Sequence, residues 1–139
     1  MIELANTTRT STAAPDAFFA KWIDHATWPQ WSPDTAWARV DGPVRTGARG
    51  TLKPTGGPTT RFTVAECEKD RVYTDVSSLV GAKLTFRHTV EAAASGSELT
   101  VRVWLDGPLS RLWAGVMGKG FATSAPEDLD RLIALVEAA

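Results

Sequence analysis

The sequence is poor in the residues that make disulfides and metal centres. Of 139 residues one is cysteine, Cys67, so no internal disulfide can form. The two histidines, His25 and His88, lie far apart and stand at no metal-ligand spacing. A zinc site takes three or four ligands of the right type, so no metal is expected and no cofactor is implied. Charge of one sign is missing too. A formal net charge of -1 leaves no electrostatic footprint for a phosphate backbone, which argues against nucleic acid as a partner. No uninterrupted apolar run reaches the length of a membrane span, so stable membrane insertion is not expected. Met1 runs straight into alternating polar residues without a basic and then apolar leader, and a cytoplasmic location is the expectation.

What is present is the composition of one globular domain spanning residues 1–139. The apolar fraction of 43% and charged fraction of 22% exclude a disordered chain, and the length suffices for one hydrophobic core. Glu3 to Thr12 read as a first strand, closed by Ala13-Ala14-Pro15. Pro15 suits the first helical position, where its missing N–H costs nothing, and Asp16 favours the positive end of the helix dipole. Phe18, Phe19, Trp22 and Ile23 follow at helical spacing. A second short turn, 24–31, carries Trp28 and Trp31.

From there to about residue 106 the chain reads as all-β. Turn signals at Asp41-Gly42-Pro43, Gly56-Gly57-Pro58, Lys69-Asp70 and Ser95-Gly96 separate strands near 35–41, 48–54, 59–68, 71–79, 82–93 and 97–106. Ala82, Leu84, Phe86, His88 and Val90 alternate with polar residues, which places His88 on the apolar face. Leu99, Val101, Val103 and Leu105 do the same and leave Trp104 on the wet face unless a bulge turns it. The facing of Tyr73 stays open, because 71–79 alternates poorly.

After Gly107-Pro108 a helical stripe of Leu109, Leu112, Trp113, Val116, Met117 and Phe121 continues through Leu129, Leu132, Ile133 and Val136. Gly118, Gly120 and Pro126 interrupt it, so a kink or split between Gly118 and Pro126 is expected. A sheet that buries one face under one long helix is an α+β architecture.

The element order and several phrases resemble the polyketide cyclase/dehydrase-type branch of the START/Bet v1 (SRPBCC) superfamily. The phrases are Ala14-Pro15-Asp16-Ala17-Phe18, Trp28-Pro29-Gln30-Trp31-Ser32-Pro33, Gly47-Ala48-Arg49-Gly50, Phe86-Arg87-His88-Thr89 and Gly107-Pro108-Leu109, and they span essentially the whole chain. The resemblance implies a helix-grip fold: a curved seven-stranded antiparallel sheet around the C-terminal helix, with two short helices after the first strand. It also implies a cavity between sheet and helix for a lipid, polyketide or other apolar molecule. It does not imply a reaction.

On this reading His88 faces the cavity and is the one candidate catalytic residue, as acid, base or hydrogen-bond anchor; the alternative is a structural core histidine. Trp28, Trp31, Trp113, Val116, Met117 and Phe121 are candidate ligand contacts, since flat rings and adaptable methionine suit apolar ligands, and core packing is the alternative for each. Phe62, Tyr73, Leu84 and Phe86 are expected to extend the wall, Tyr73 with a hydroxyl that could orient a ligand's polar end. Asp24 and His25, adjacent in sequence, read as pointing apart. Cys67 reads as a small hydrophobe rather than a nucleophile. Gly81-Ala82-Lys83 is followed by Leu84 and makes no phosphate loop.

Three functions fit: binding of a small apolar molecule, a cyclase/dehydratase-like enzyme using His88, and a protein-interaction module presenting Trp28, Trp31 or Trp104. Binding is the leading expectation, because no convergent polar set is visible; a homodimer is left open.

Overall fold

A computed structural model describes all residues from Met1 to Ala139. Strand β1 (Ile2–Ser11) is followed by helix α1 (Pro15–Trp22), a 3-10 turn (His25–Thr27) and helix α2 (Trp28–Trp31). Six strands follow: β2 (Thr35–Val40), β3 (Arg49–Pro54), β4 (Thr60–Glu68), β5 (Val72–Leu79), β6 (Ala82–Ala93) and β7 (Gly96–Asp106). Helix α3 (Ser110–Glu137) closes the chain. The strands form one antiparallel sheet in the order β1-β7-β6-β5-β4-β3-β2. This is the α+β helix-grip arrangement expected from the sequence.

Period-two patterning sets the register. Leu99, Val101, Val103 and Leu105 on β7 are buried and lie opposite Val90, His88, Phe86 and Leu84 of β6. One apolar face results, and α3 and the short helices cover it. No bulge interrupts β7 against β6, so Trp104 stays on the convex face, where Arg102 lies 5.1 Å over its ring. Two glycines answer to close packing. A Cβ at Gly96 would collide with the Ser11 carbonyl, and one at Gly50 with the Phe62 ring.

Helix α3 runs as one helix through Gly118, Gly120 and Pro126, where a kink or split is expected from the sequence. Pro126 frees the carbonyl of Ala122, but Ala122 is exposed and solvent can take the place of the lost bond. The helix grips the sheet through its C-terminal half, where Ala125, Leu129, Leu132 and Val136 are buried. No residue from Ser110 to Ser124 is buried, although Met117 and Phe121 pack partly against the core. No helix is long and apolar enough to cross a membrane.

Candidate functional site

The concave face, α3 and the short helices enclose a cavity of about 230 Å³. Leu84, Phe86 and His88 of β6 form its floor, and Met117, Phe121 and Leu129 of α3 its roof. Trp22, Trp28 and Trp31 close one end. The short helices hold these indoles in place: Trp22 is fully buried, and the Trp28 indole N–H donates to the Trp22 carbonyl at 3.1 Å. The indole nitrogens of Trp22 and Trp31, both buried, have no partner within the protein.

A line of buried polar groups runs behind this wall. Tyr73 and His88 are cross-strand partners on β5 and β6, and Asp75 sits two residues along on the same face. The His88 Nδ1–H donates to the Tyr73 carbonyl at 3.1 Å. Burial pushes His88 down to about 4, so the ring is neutral at pH 7 and its Nε2 is an acceptor. His25 Nε2 lies 2.8 Å from the Tyr73 hydroxyl. Burial lowers His25 to about 4 as well, with the Ile23 carbonyl pulling the other way, so the ring that shares this hydrogen bond with Tyr73 is neutral at pH 7.

Asp75 has no cation beside it. Burial raises its carboxyl to about 7, against a hydrogen bond from the Tyr73 hydroxyl that pulls the other way. Asp128 of α3, at the rim, is raised to about 6 by burial, against hydrogen bonds from Ser32 at 2.9 Å and Arg131 at 3.0 Å. No lysine or arginine lines the cavity. No group of three or more His, Cys, Asp or Glu gathers as a metal would need.

Of the residues singled out from the sequence, Trp28, Trp31, Leu84, Phe86, His88, Met117 and Phe121 line the cavity. Phe62 and Tyr73 are buried behind it instead. Phe62 stacks on His25 at 5.8 Å, and Tyr73 faces inward but spends its hydroxyl on His25. Two expectations on α3 need correction. Val116 is 71% exposed, because the inward stripe runs through Met117, Phe121, Ser124 and Ala125, and Val116 precedes it by about 100° of helix turn. Trp113 is half-buried against the core but away from the cavity lining, and donates its indole N–H to the Val80 carbonyl at 2.8 Å. The expected interaction patch loses two members, since Trp28 and Trp31 are each only 6% exposed.

Sequence reasoning passed over Asp75 and Asp128, and it named Trp22 and His25 without placing them at the site. The signal for Asp75 was its spacing of two from Tyr73 and Ser77, but the outward Val72 and Thr74 are buried too and blur the alternation. Asp24 is exposed and His25 buried, so they do point apart. Cys67 is half-buried, and burial pushes its thiol up, away from reactivity.

The fold recurs widely among solved structures. Protein MLL2253 from Mesorhizobium loti aligns over 97% of both chains at 14% identity and a TM-score of 0.74. The di-domain ARO/CYC StfQ from the steffimycin biosynthetic pathway aligns at 13% identity and a TM-score of 0.79, covering 99% of this chain and 51% of StfQ. Ara h 8.0201 aligns over 97% of both chains at 19% identity and a TM-score of 0.68. At these identities the likeness is one of fold. No curated protein matches in sequence. Residues 4–137 match the family described as polyketide cyclase / dehydrase and lipid transport. With nearly the whole chain matched and the cavity where the fold puts it, this protein belongs to the polyketide cyclase/dehydrase and lipid transport family.

Proposed function

We propose that the protein binds a small apolar molecule in the cavity between sheet and α3. One observation carries this reading: an apolar-walled cavity of about 230 Å³ lies between the sheet and α3, where a protein interior is normally close-packed. The volume of about 230 Å³ lies below the ~300 Å³ at which drug-sized sites begin, which favours a compact, ring-shaped ligand. Native mass spectrometry of freshly purified protein tests it, with a discrete excess mass lost on denaturation as the expected result. Met117→Trp should fill the cavity and abolish that mass, whereas Val116→Trp, on the exposed face, should leave it. A bare polypeptide mass together with no uptake of a neutral fluorescent dye would overturn the proposal.

A second reading is proton transfer on an aromatic or polyketide-like substrate, and Asp75 is the observation that favours it. With His88 held near 4, its imidazole is a weak base at neutral pH, whereas a carboxyl near 7 is matched to that task. Turnover of an aromatic polyketone that survives His88→Ala and disappears in Asp75→Asn is the expected pattern. The reverse pattern would return the role to His88.

A further inference from the structure

We infer that the cavity selects its ligand by charge: it takes a ring compound that carries an N–H or O–H donor, uncharged or cationic, and rejects carboxylates and phosphates. The inference rests on the binding proposal and narrows its ligand class. Its basis is what each polar group in the lining has left to offer. Asp75 is 4% exposed, borders the cavity and has no ion-pair partner, so its free valence faces whatever occupies the space. The Tyr73 hydroxyl, 2.8 Å from His25 Nε2, is the one protein hydrogen-bonding group that acts on the Asp75 carboxyl, and a carboxylate with about four acceptor positions keeps the others open. His88 uses Nδ1–H on the Tyr73 carbonyl and presents Nε2, an acceptor, from the same wall. Two acceptors therefore wait on one face for a donor.

The remaining lining supports the same sign. Besides Asp75, the lining carries the carboxyl groups of Asp34 and Asp128, and only Asp128 is answered by a cation, the exposed Arg131 outside the cavity. The available donors are neutral: the serine and threonine hydroxyls of the lining. These suit a carbonyl or hydroxyl oxygen but cannot neutralise an anion stripped of water. The indole and phenyl rings present negative faces, which attract a cation and repel an anion. Fatty acids and phospholipids are thus disfavoured on electrostatic grounds, while an aromatic amine or phenol-like alcohol satisfies Asp75.

Three probes on one two-ring frame separate the possibilities: 2-naphthylmethylamine, 2-naphthylmethanol and 2-naphthoic acid. Titration calorimetry at about pH 8, where a carboxyl near 7 is ionised, should rank amine above alcohol above acid. The amine should bind at least about tenfold more tightly than the acid. In Asp75→Asn that ratio should fall by about tenfold while the alcohol keeps most of its affinity. An acid that binds as tightly as the amine would overturn the inference, as would a ranking unchanged in the variant. If Asp75→Asn fails to fold, the ranking in the parent protein still decides. Uptake of the fluorescent hydrocarbon dye anthracene, which carries neither a donor nor a charge, separates the two proposals. Dye uptake without binding of amine or alcohol refutes the charge selection alone, and no uptake of any probe refutes the cavity's binding role as well.

Discussion

At the scale of the residue, Asp75 is where function and stability pull apart. A carboxyl placed inside a hydrophobic wall costs folding energy whenever it is ionised, and nothing in the protein offsets that cost with a cation. The direction with pH follows from its raised affinity for a proton, about 7 in the folded state against an ordinary 3.8. Its favourable contribution is complete below about pH 4 and is lost as the pH rises to 7. Asp75→Asn should therefore be more stable than the parent above pH 7 by about 4 kcal/mol, with the gain vanishing towards pH 4. His25 and His88, depressed from 6.5 to about 4, act oppositely, losing stability as pH falls below 6.5, and Asp128 acts like Asp75. These remain in both proteins, so the difference between two urea-melt series isolates Asp75. A gain independent of pH would show that the carboxyl does not carry the burial cost assigned to it.

At the scale of the element, α3 is two helices in function and one in hydrogen bonding. Its C-terminal half is pinned by Leu129, Leu132 and Val136, while its N-terminal half carries Gly115, Gly118 and Gly120 and buries no residue before Ala125. Glycine inside a helix loses more backbone freedom on folding than any other residue. Gly115 and Gly120 are exposed, and a Cβ on either meets only open space. Their effect is on helix stability rather than on cavity shape. Gly120→Ala should raise stability by about 0.5–1 kcal/mol, seen as a higher midpoint in thermal unfolding followed by circular dichroism. A lower midpoint would mean that Gly120 answers to a packing need the structure does not show.

At the scale of the whole molecule, the sheet and the pinned half of α3 supply the core, and the cavity is the volume they leave unfilled. A fully packed interior would be more stable, because the atoms lining a void lose dispersion contacts on one side. Met117→Trp, expected to displace the ligand, should for that reason also unfold at a higher denaturant concentration than the ligand-free parent. A larger residue forced into a packed core would instead destabilise by about 1–3 kcal/mol. That opposite outcome would mean that the space beneath Met117 is already occupied by protein.

The fold was legible because it rests on repeating local signals. Alternation on β6 and β7, turn residues at each hairpin and the apolar stripe of α3 each state an element and its buried face without reference to the rest. Trp28, Trp31, Phe86 and Met117 reached the cavity wall by the same logic. The site's polar chemistry was not legible, since it depends on which groups meet across the fold. His25 finds Tyr73 from a 3-10 turn 48 residues away in sequence, and beside that pair Asp75 is buried without a cation. Val116 and Met117 are neighbours in one apolar stripe, and only the angle at which α3 lies on the sheet sends one to solvent and the other to the cavity. The sequence by itself determined a curved sheet under one helix, because periodicity is a property of the chain. The cavity's charge and its free valences were decided by tertiary structure alone, because burial and hydrogen-bond partners exist only between elements that have already packed.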